Sequence, residues 1–308
     1  MVKSVKVGAY KNATTVLVKT ITNLHVGVGQ SAGIVDLPVQ RDSLGFPNIP
    51  SSSIKGALKA HVQRNCEKCA KNIFGPHPEE RETFAGAFAV LDALLLTFPV
   101  RSLKGVYCHV TSPLLLERTK SYLDLLSTVE SKKFDIIEKV LAIKPSDSEV
   151  YVVKEEADSI RALNNSAIFN EEYVLELKNN NELTELAKIL GLKRLAVVSD
   201  NLALALMEKS LIRSYRVRLK SETKTVVTGG LWSEESVPRE TYFLTTFLYS
   251  DLRAPEDIVC EHFKNGQSLS VKSRFEELCL NKDKNEGYLI FGGHETIGHG
   301  LVMLQKLG

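Results

Sequence analysis

The chain predicts an α+β fold with a mostly antiparallel sheet. Strand-like alternation opens and closes it, helical-period segments lie between, and no GKS/T or GxGxxG phosphate loop signals a parallel nucleotide-binding sheet. With 308 residues, 44% apolar and 25% charged, it has the length for one sizeable core and the composition of a globular protein.

Residues 14–22 alternate, with Val16, Val18, Thr20 and Thr22 on one side and Leu17, Lys19 and Ile21 on the other, which predicts a strand. A loop follows that holds His25, three glycines (Gly27, Gly29, Gly33), the lone carboxylate Asp36 and a proline-bounded turn. Ser51, Ser52 and Ser53 then read as the cap of a helix over 51–65, carried by Ile54, Leu58, His61 and Val62. Residues 86–98 read as a buried strand, although their Ala and Leu content also suits a helix.

The texture changes at 114–209, which is helical by period around an Asn-rich patch and carries, from Glu117 to Glu208, seventeen acids against twelve bases. It predicts a helical insertion in a β-rich core. Residues 211–227 alternate again, with Arg216, Arg218, Lys220 and Lys224 on one face and Tyr215, Val217 and Leu219 on the other. Gly229 and Gly230 break that strand, LWSEESVPRE forms the tip, and 241–249 returns, so 211–249 is expected to be a hairpin. A strand at 287–291, the loop FGGHETIGHG and a strand at 301–306 close the chain.

Charge and ligand chemistry narrow the function. Net charge is only +2, yet residues 1–65 hold eight Lys/Arg against Asp36 and Asp42, a footprint suited to an anionic polymer or to a protected edge strand. Glycine-loop amides, a serine-capped helix start, and Lys55 and Lys59 one turn apart suit phosphate. The five cysteines form no disulfide framework. Cys66 and Cys69 make one CxxC flanked by His61 and His77, which permits zinc but equally two free thiols or a disulfide, and no metal ligand is assigned there. The longest apolar run is broken by Asp92, itself expected to be structural with a partner such as Arg101, and the N-terminus has no apolar signal core; a soluble cytoplasmic protein is expected.

The run VDLPVQRDSLGFPNIPSSSIKGALK together with FGGHETIGHG resembles the RAMP superfamily of CRISPR-associated RNA-binding proteins. With His25 eleven residues before Asp36, and AVLDALLLTFPVRSLKG, HVTSPLLLER and LWSEESVPRET downstream, the spelling is similar to the repeated backbone subunit of type III-B (Cmr) effector complexes. The likeness touches most of the chain and is weakest in the helical insertion.

The resemblance implies a single domain over 1–308: a ferredoxin-like (RRM-related) palm, the insertion at 114–209 and a thumb-type β-hairpin at 211–249. It implies copies polymerised along a guide RNA beside other Cmr subunits, and a target RNA cut where each thumb displaces a base. A divalent metal ion, magnesium or manganese, would be bound transiently with the target. It places Asp36 at the scissile phosphate, His25 as an acid/base candidate, and Glu234 and Glu235 as acidic residues at the hairpin tip. Arg41, Ser52, Ser53, Lys55, Lys59, Gly292, Gly293, Thr296 and Gly298 are assigned to RNA backbone contact, with Arg216, Arg218 and Lys220 along the thumb. The sparse acids near the motif argue against a pre-formed two-metal carboxylate cage. Each residue has a structural alternative: Asp36 closing a turn, His25 bonded to the loop backbone, the glutamates as exposed tip charges, the serines as a cap. Three other functions stay open: a non-catalytic guide-binding subunit, a metal-independent guide-processing nuclease using His25, and a zinc-bearing interaction module.

Overall fold

A computed structural model describes residues 8–30, 33–130, 135–263, 270–281 and 283–307, so Lys3 and Lys6 lie outside the described residues. The first half runs β1 (Asn12–Thr20), β2 (Asn48–Ile49), α1 (Ser51–Asn65), α2 (Glu67–Phe74), β3 (Phe88–Val90), β4 (Ala93–Ser102) and β5 (Val106–Thr111). Next come α3 (Pro113–Glu130), α4 (Asp135–Leu141), β6 (Glu149–Val153), α5 (Ala157–Ile160), β7 (Ser166–Phe169), β8 (Tyr173–Asn180), α6 (Glu182–Leu190), β9 (Leu195–Val197) and α7 (Asp200–Ser210). The chain ends with β10 (Ile212–Leu219), β11 (Val226–Ser236), β12 (Tyr242–Tyr249), α8 (Val271–Cys279), β13 (Glu286–Ile290) and β14 (Leu301–Lys306).

The main sheet has the order β13-β14-β1-β12-β4-β5-β9-β6-β8-β7, and only β5–β9 and β6–β8 pair in parallel. Within it, β14-β1-β12-β4 is antiparallel, with α1 between β1 and β4 in the chain and α8 between β12 and β14. Both faces are covered. Val16 and Val18 of β1 join the cluster under α1 and α8, whereas Leu17 joins the cluster under α3, α4 and α6, so the period-2 alternation of the sequence separates two cores. Phe275 of α8 sits among Phe74, Phe88, Phe247 and Tyr249, with its ring centroid 4.6 Å from that of Phe88. Each such fully buried ring contributes roughly 2–3 kcal/mol, which seals α8 to the sheet.

Four expectations change here. The 114–209 segment is mixed, because β6, β7, β8 and β9 extend the sheet from β5 and β7 returns to β4 through the Ser102–Phe169 pair. The hairpin is also shorter than 211–249: β10 and β11 form a separate two-stranded ribbon, while β12 lies wholly buried in the main sheet. Eight consecutive buried residues cannot belong to a solvent-exposed thumb. Helix α1 keeps its expected bounds but not its expected cap. Pro50 occupies the cap position without a side-chain bond, and Asp92 Oδ1 accepts the Ser51 N–H at 2.6 Å. Asp92 is therefore structural, with that amide as its partner in place of Arg101, which pairs with Glu171. No helix among the described residues is long and apolar enough to cross a membrane.

Candidate functional site

Three stretches that are distant in sequence meet at the root of the β10–β11 ribbon. Leu24 exchanges backbone bonds with Val237 at 2.9 and 2.8 Å. The segment after Asp36 runs beside β11, where Leu37 N–H donates to Ser233 O and Glu235 N–H donates to Leu37 O. The C-terminal glycine loop comes in from the other side, where Gly293 N–H donates to His25 O at 2.9 Å. Gly292 has φ +73°, and a Cβ there would run into the His25 carbonyl, so the close approach of the two loops demands glycine.

Asp36 is exposed at this junction. Its Oδ2 accepts both the Ser233 N–H and the Ser233 Oγ–H at 2.7 Å, and Ser233 Oγ accepts the Asp36 N–H. Those bonds to Ser233 hold the carboxyl below the usual carboxylate range, with slight desolvation opposing. Among the described residues, Oδ1 has no partner in the protein. The result is an exposed, ionised carboxylate with one oxygen fixed to the ribbon. Because the folded pKa is depressed, its contribution to folding is present above the unfolded carboxylate pKa and fades as pH falls through the folded value. Ser233→Ala removes the hydroxyl's share and leaves the larger share of the Ser233 amide, so Asp36 should move only part of the way back to ordinary titration. Carboxyl-carbon NMR of Asp36 checks this, and an unchanged midpoint would contradict the cause assigned here.

The other acids and His25 lie elsewhere than expected. Glu234 and Glu235 are at the ribbon's root, 0% and 1% exposed, and not at its tip. Glu235 accepts from Arg41 Nη2 at 2.9 Å and Arg213 Nε at 3.2 Å, and Glu208 also holds both guanidiniums. Glu234 pairs with Arg216 Nε and His294 Nε2, each at 3.2 Å. Such carboxylates fasten the ribbon to the body and offer no open oxygen face to a polymer. His25 is buried, with Nδ1 bonded to Glu235 O at 2.6 Å and its ring 5.2 Å from that of His294. It positions the loop, so the acid/base role expected of it has no exposed imidazole behind it.

The basic residues divide. Arg41 and Arg216 are taken up by the buried glutamates, and Lys59 Nζ donates to Gly75 O at 3.1 Å, away from Lys55. Gly293 and Gly298 use their amides internally, the latter on Glu295 O. Gly292 and Ser53 share a cleft of about 430 Å³ between α1 and the C-terminal loop, while Ser52 and Lys55 line a second of about 480 Å³ with Arg253. Thr296, Arg218 and Lys220 are exposed. The sequence reading missed Ser233, Arg213 and His294. Registering the hairpin on a turn at 220–225 would have set Arg213 opposite Glu235 and exposed that pairing.

Known proteins share this fold. Residues 17–302 match the RAMP superfamily. The chain is 34% identical over 290 residues to the CRISPR system Cmr endoribonuclease Cmr4 of Pyrococcus furiosus, covering 92% of each. It is similar to a chain in the cryo-EM structure of Type III-B Cmr-beta bound to cognate target RNA, with TM-score 0.76, 30% identity and coverage of 97% of this chain and 98% of that one. The crystal structure of oligomeric Cmr4 from Pyrococcus furiosus gives TM-score 0.64 at 26% identity, covering 96% and 98%. Likeness in sequence and in fold extends over nearly the whole length, and the chain belongs to the RAMP superfamily, in the family of these Cmr4 relatives.

Proposed function

We propose that this chain is the repeated backbone subunit of a guide-RNA complex and cleaves paired target RNA at the root of its ribbon. The observation that carries the reading is the Asp36–Ser233 pair: the one exposed acid of the motif is anchored to the residue where the ribbon leaves the body. The strand order β14-β1-β12-β4, with α1 and α8 in the crossovers, is read as a ferredoxin-like palm, and β10–β11 as its thumb. Tyr215 is 82% and Leu231 62% exposed on a ribbon outside both cores, as a wedge entering stacked bases requires. The RNA-bound and oligomeric relatives support RNA, further copies and other Cmr subunits as partners.

A displaced nucleotide lets its 2′-oxygen swing into line with the leaving 5′-oxygen, which stacked A-form geometry forbids; the new O–P bond forms as the P–O5′ bond breaks. Asp36, ionised and held by Ser233 through Oδ2, orients the reacting ribose-phosphate through its other oxygen. A single open carboxylate fits a hard divalent cation shared with RNA phosphates better than an all-protein cage, since Glu234 and Glu235 are buried, one against Arg216 and His294 and the other against Arg41 and Arg213. When bound, magnesium or manganese at Asp36 supplies charge neutralisation at the phosphate.

Guide contact falls to Ser52, Ser53, Lys55, Gly292 and Thr296, with Arg218 and Lys220 along the thumb. Lys55→Ala should weaken RNA binding equally across sequences and lower the log–log salt slope by about 0.7–0.9, whereas Lys59→Ala should leave the slope unchanged. Filter binding at several salt concentrations decides this, and a sequence-selective loss would contradict it. The broader test is purification from the native host. The particle should contain short guide RNA and cut complementary RNA at regular intervals; a particle without small RNA would overturn the proposal.

A further inference from the structure

At the far end of α1 from Ser52 and Ser53, Cys66, Cys69, Cys260 and His262 bring one ligand atom each to within 4.8 Å of one another. Three soft sulfurs and an imidazole nitrogen form a donor set suited to tetrahedral zinc. The cysteines come from two places, Cys66 and Cys69 at the α1–α2 corner and Cys260 191 residues beyond Cys69, just before the short turn that holds His262. The Sγ atoms of Cys69 and Cys260 are 3.7 Å apart. Two thiolates at Zn–S distances of about 2.3 Å in a tetrahedron are separated by about 3.8 Å.

The surroundings prepare the site. Cys66 caps α2, and its Sγ accepts the Cys69 N–H at 3.2 Å, which fixes the first sulfur. Asn72, fully buried on α2, accepts the Cys260 N–H at 2.7 Å and donates to Ile258 O, so the distant segment is pinned one turn from Cys69. Arg274 Nη2 lies 3.9 Å from the Cys69 sulfur, where positive charge favours a thiolate. The flanking histidines of the sequence are committed elsewhere: His61 Nε2 bonds Leu278 O, and His77 Nδ1 takes the Glu79 N–H.

We infer that Cys66, Cys69, Cys260 and His262 form a structural zinc site that ties the α1–α2 corner to the segment leading into α8. The three thiols release their protons as the metal binds. The Cys66–Cys69 disulfide present in the structure uses two of the same sulfurs, so metal and disulfide exclude each other and the test requires a reductant.

The test uses the full chain, expressed with zinc and purified under a phosphine reductant without chelator. Metal analysis should find about one zinc per chain, and cobalt in its place should give thiolate charge-transfer and tetrahedral d–d bands. Cys260→Ser and His262→Ala should each lower zinc affinity more than about tenfold, whereas His262→Cys should keep the metal and intensify the cobalt–thiolate band. Reduced wild-type protein without stoichiometric zinc or cobalt–thiolate absorption would overturn the inference. So would a Cys260→Ser chain that binds zinc as tightly as wild type. The wild-type cobalt spectrum decides even if a variant does not fold.

Discussion

Asp36→Asn is expected to reduce cleavage by the assembled particle at least about a hundredfold while guide binding stays intact. Asparagine keeps an oxygen that can accept both Ser233 bonds, so the ribbon root survives and only the charge is lost. That isolates the chemistry from the architecture. Single-turnover cleavage of a labelled complementary RNA measures it, with guide occupancy as the control. Undiminished cleavage would place the cutting in another subunit and leave this chain as a guide-binding scaffold.

Glu235→Ala should produce the largest loss of stability among the residues at the site. The side chain is 2% exposed and satisfies Arg41 Nη2, Arg213 Nε and the Val39 N–H. Removing a carboxylate from a buried pair typically costs about 3–5 kcal/mol, because the opposing charges are left uncompensated. Arg41 and Arg213 keep their pairing with Glu208 and are 25% and 51% exposed, which lowers the expectation to roughly 2–3 kcal/mol. Urea unfolding measures the loss. Cleavage should fall with it, since Glu235 N–H also bonds Leu37 O, next to Asp36, and loosening the root frees the aspartate. A variant as stable as wild type would show that the ion-pair network does not hold the ribbon.

The two ends of the fold were legible because their signals are local. Strand β1 announces itself by alternation, α1 by the spacing of Ile54, Leu58 and Val62, and β13 and β14 by apolar runs either side of a glycine loop. The middle was not. Strands β7 and β9 hold four and three residues, too few to show a period, and β9 is an unbroken buried run next to helices. The ribbon was misregistered for a definite reason. Gly229 and Gly230 look like a turn, but they lie inside β11, where a Cβ on Gly230 would meet Val227 O and Arg218 O close to the register shift at Val217 and Leu219. The true turn contains no glycine and places Lys224 at φ +55°.

That one misplacement explains the fate of the two glutamates. Taken as tip residues they read as exposed acids near RNA; correctly registered, they are anchors. Asp36 was identifiable as a lone carboxylate in a glycine-rich loop, yet its fixing partner Ser233 is 197 residues away and no local pattern links them. Groups brought together from remote segments share this opacity: Cys66 and Cys69 were visible as a CxxC, whereas Cys260 and His262, which join them in space, lie about 190 residues away.

If Asp36 acts in the cut, the carboxylate at the ribbon root faces the bond that breaks. Asp36→Cys, tethered to an iron chelate in the assembled particle, reports this through hydroxyl-radical scission of bound target RNA. Scission should centre on the same nucleotides, at the same regular spacing, that the wild-type particle cleaves. Scission centred elsewhere, or confined to the guide strand, would show that Asp36 does not face the bond being cut.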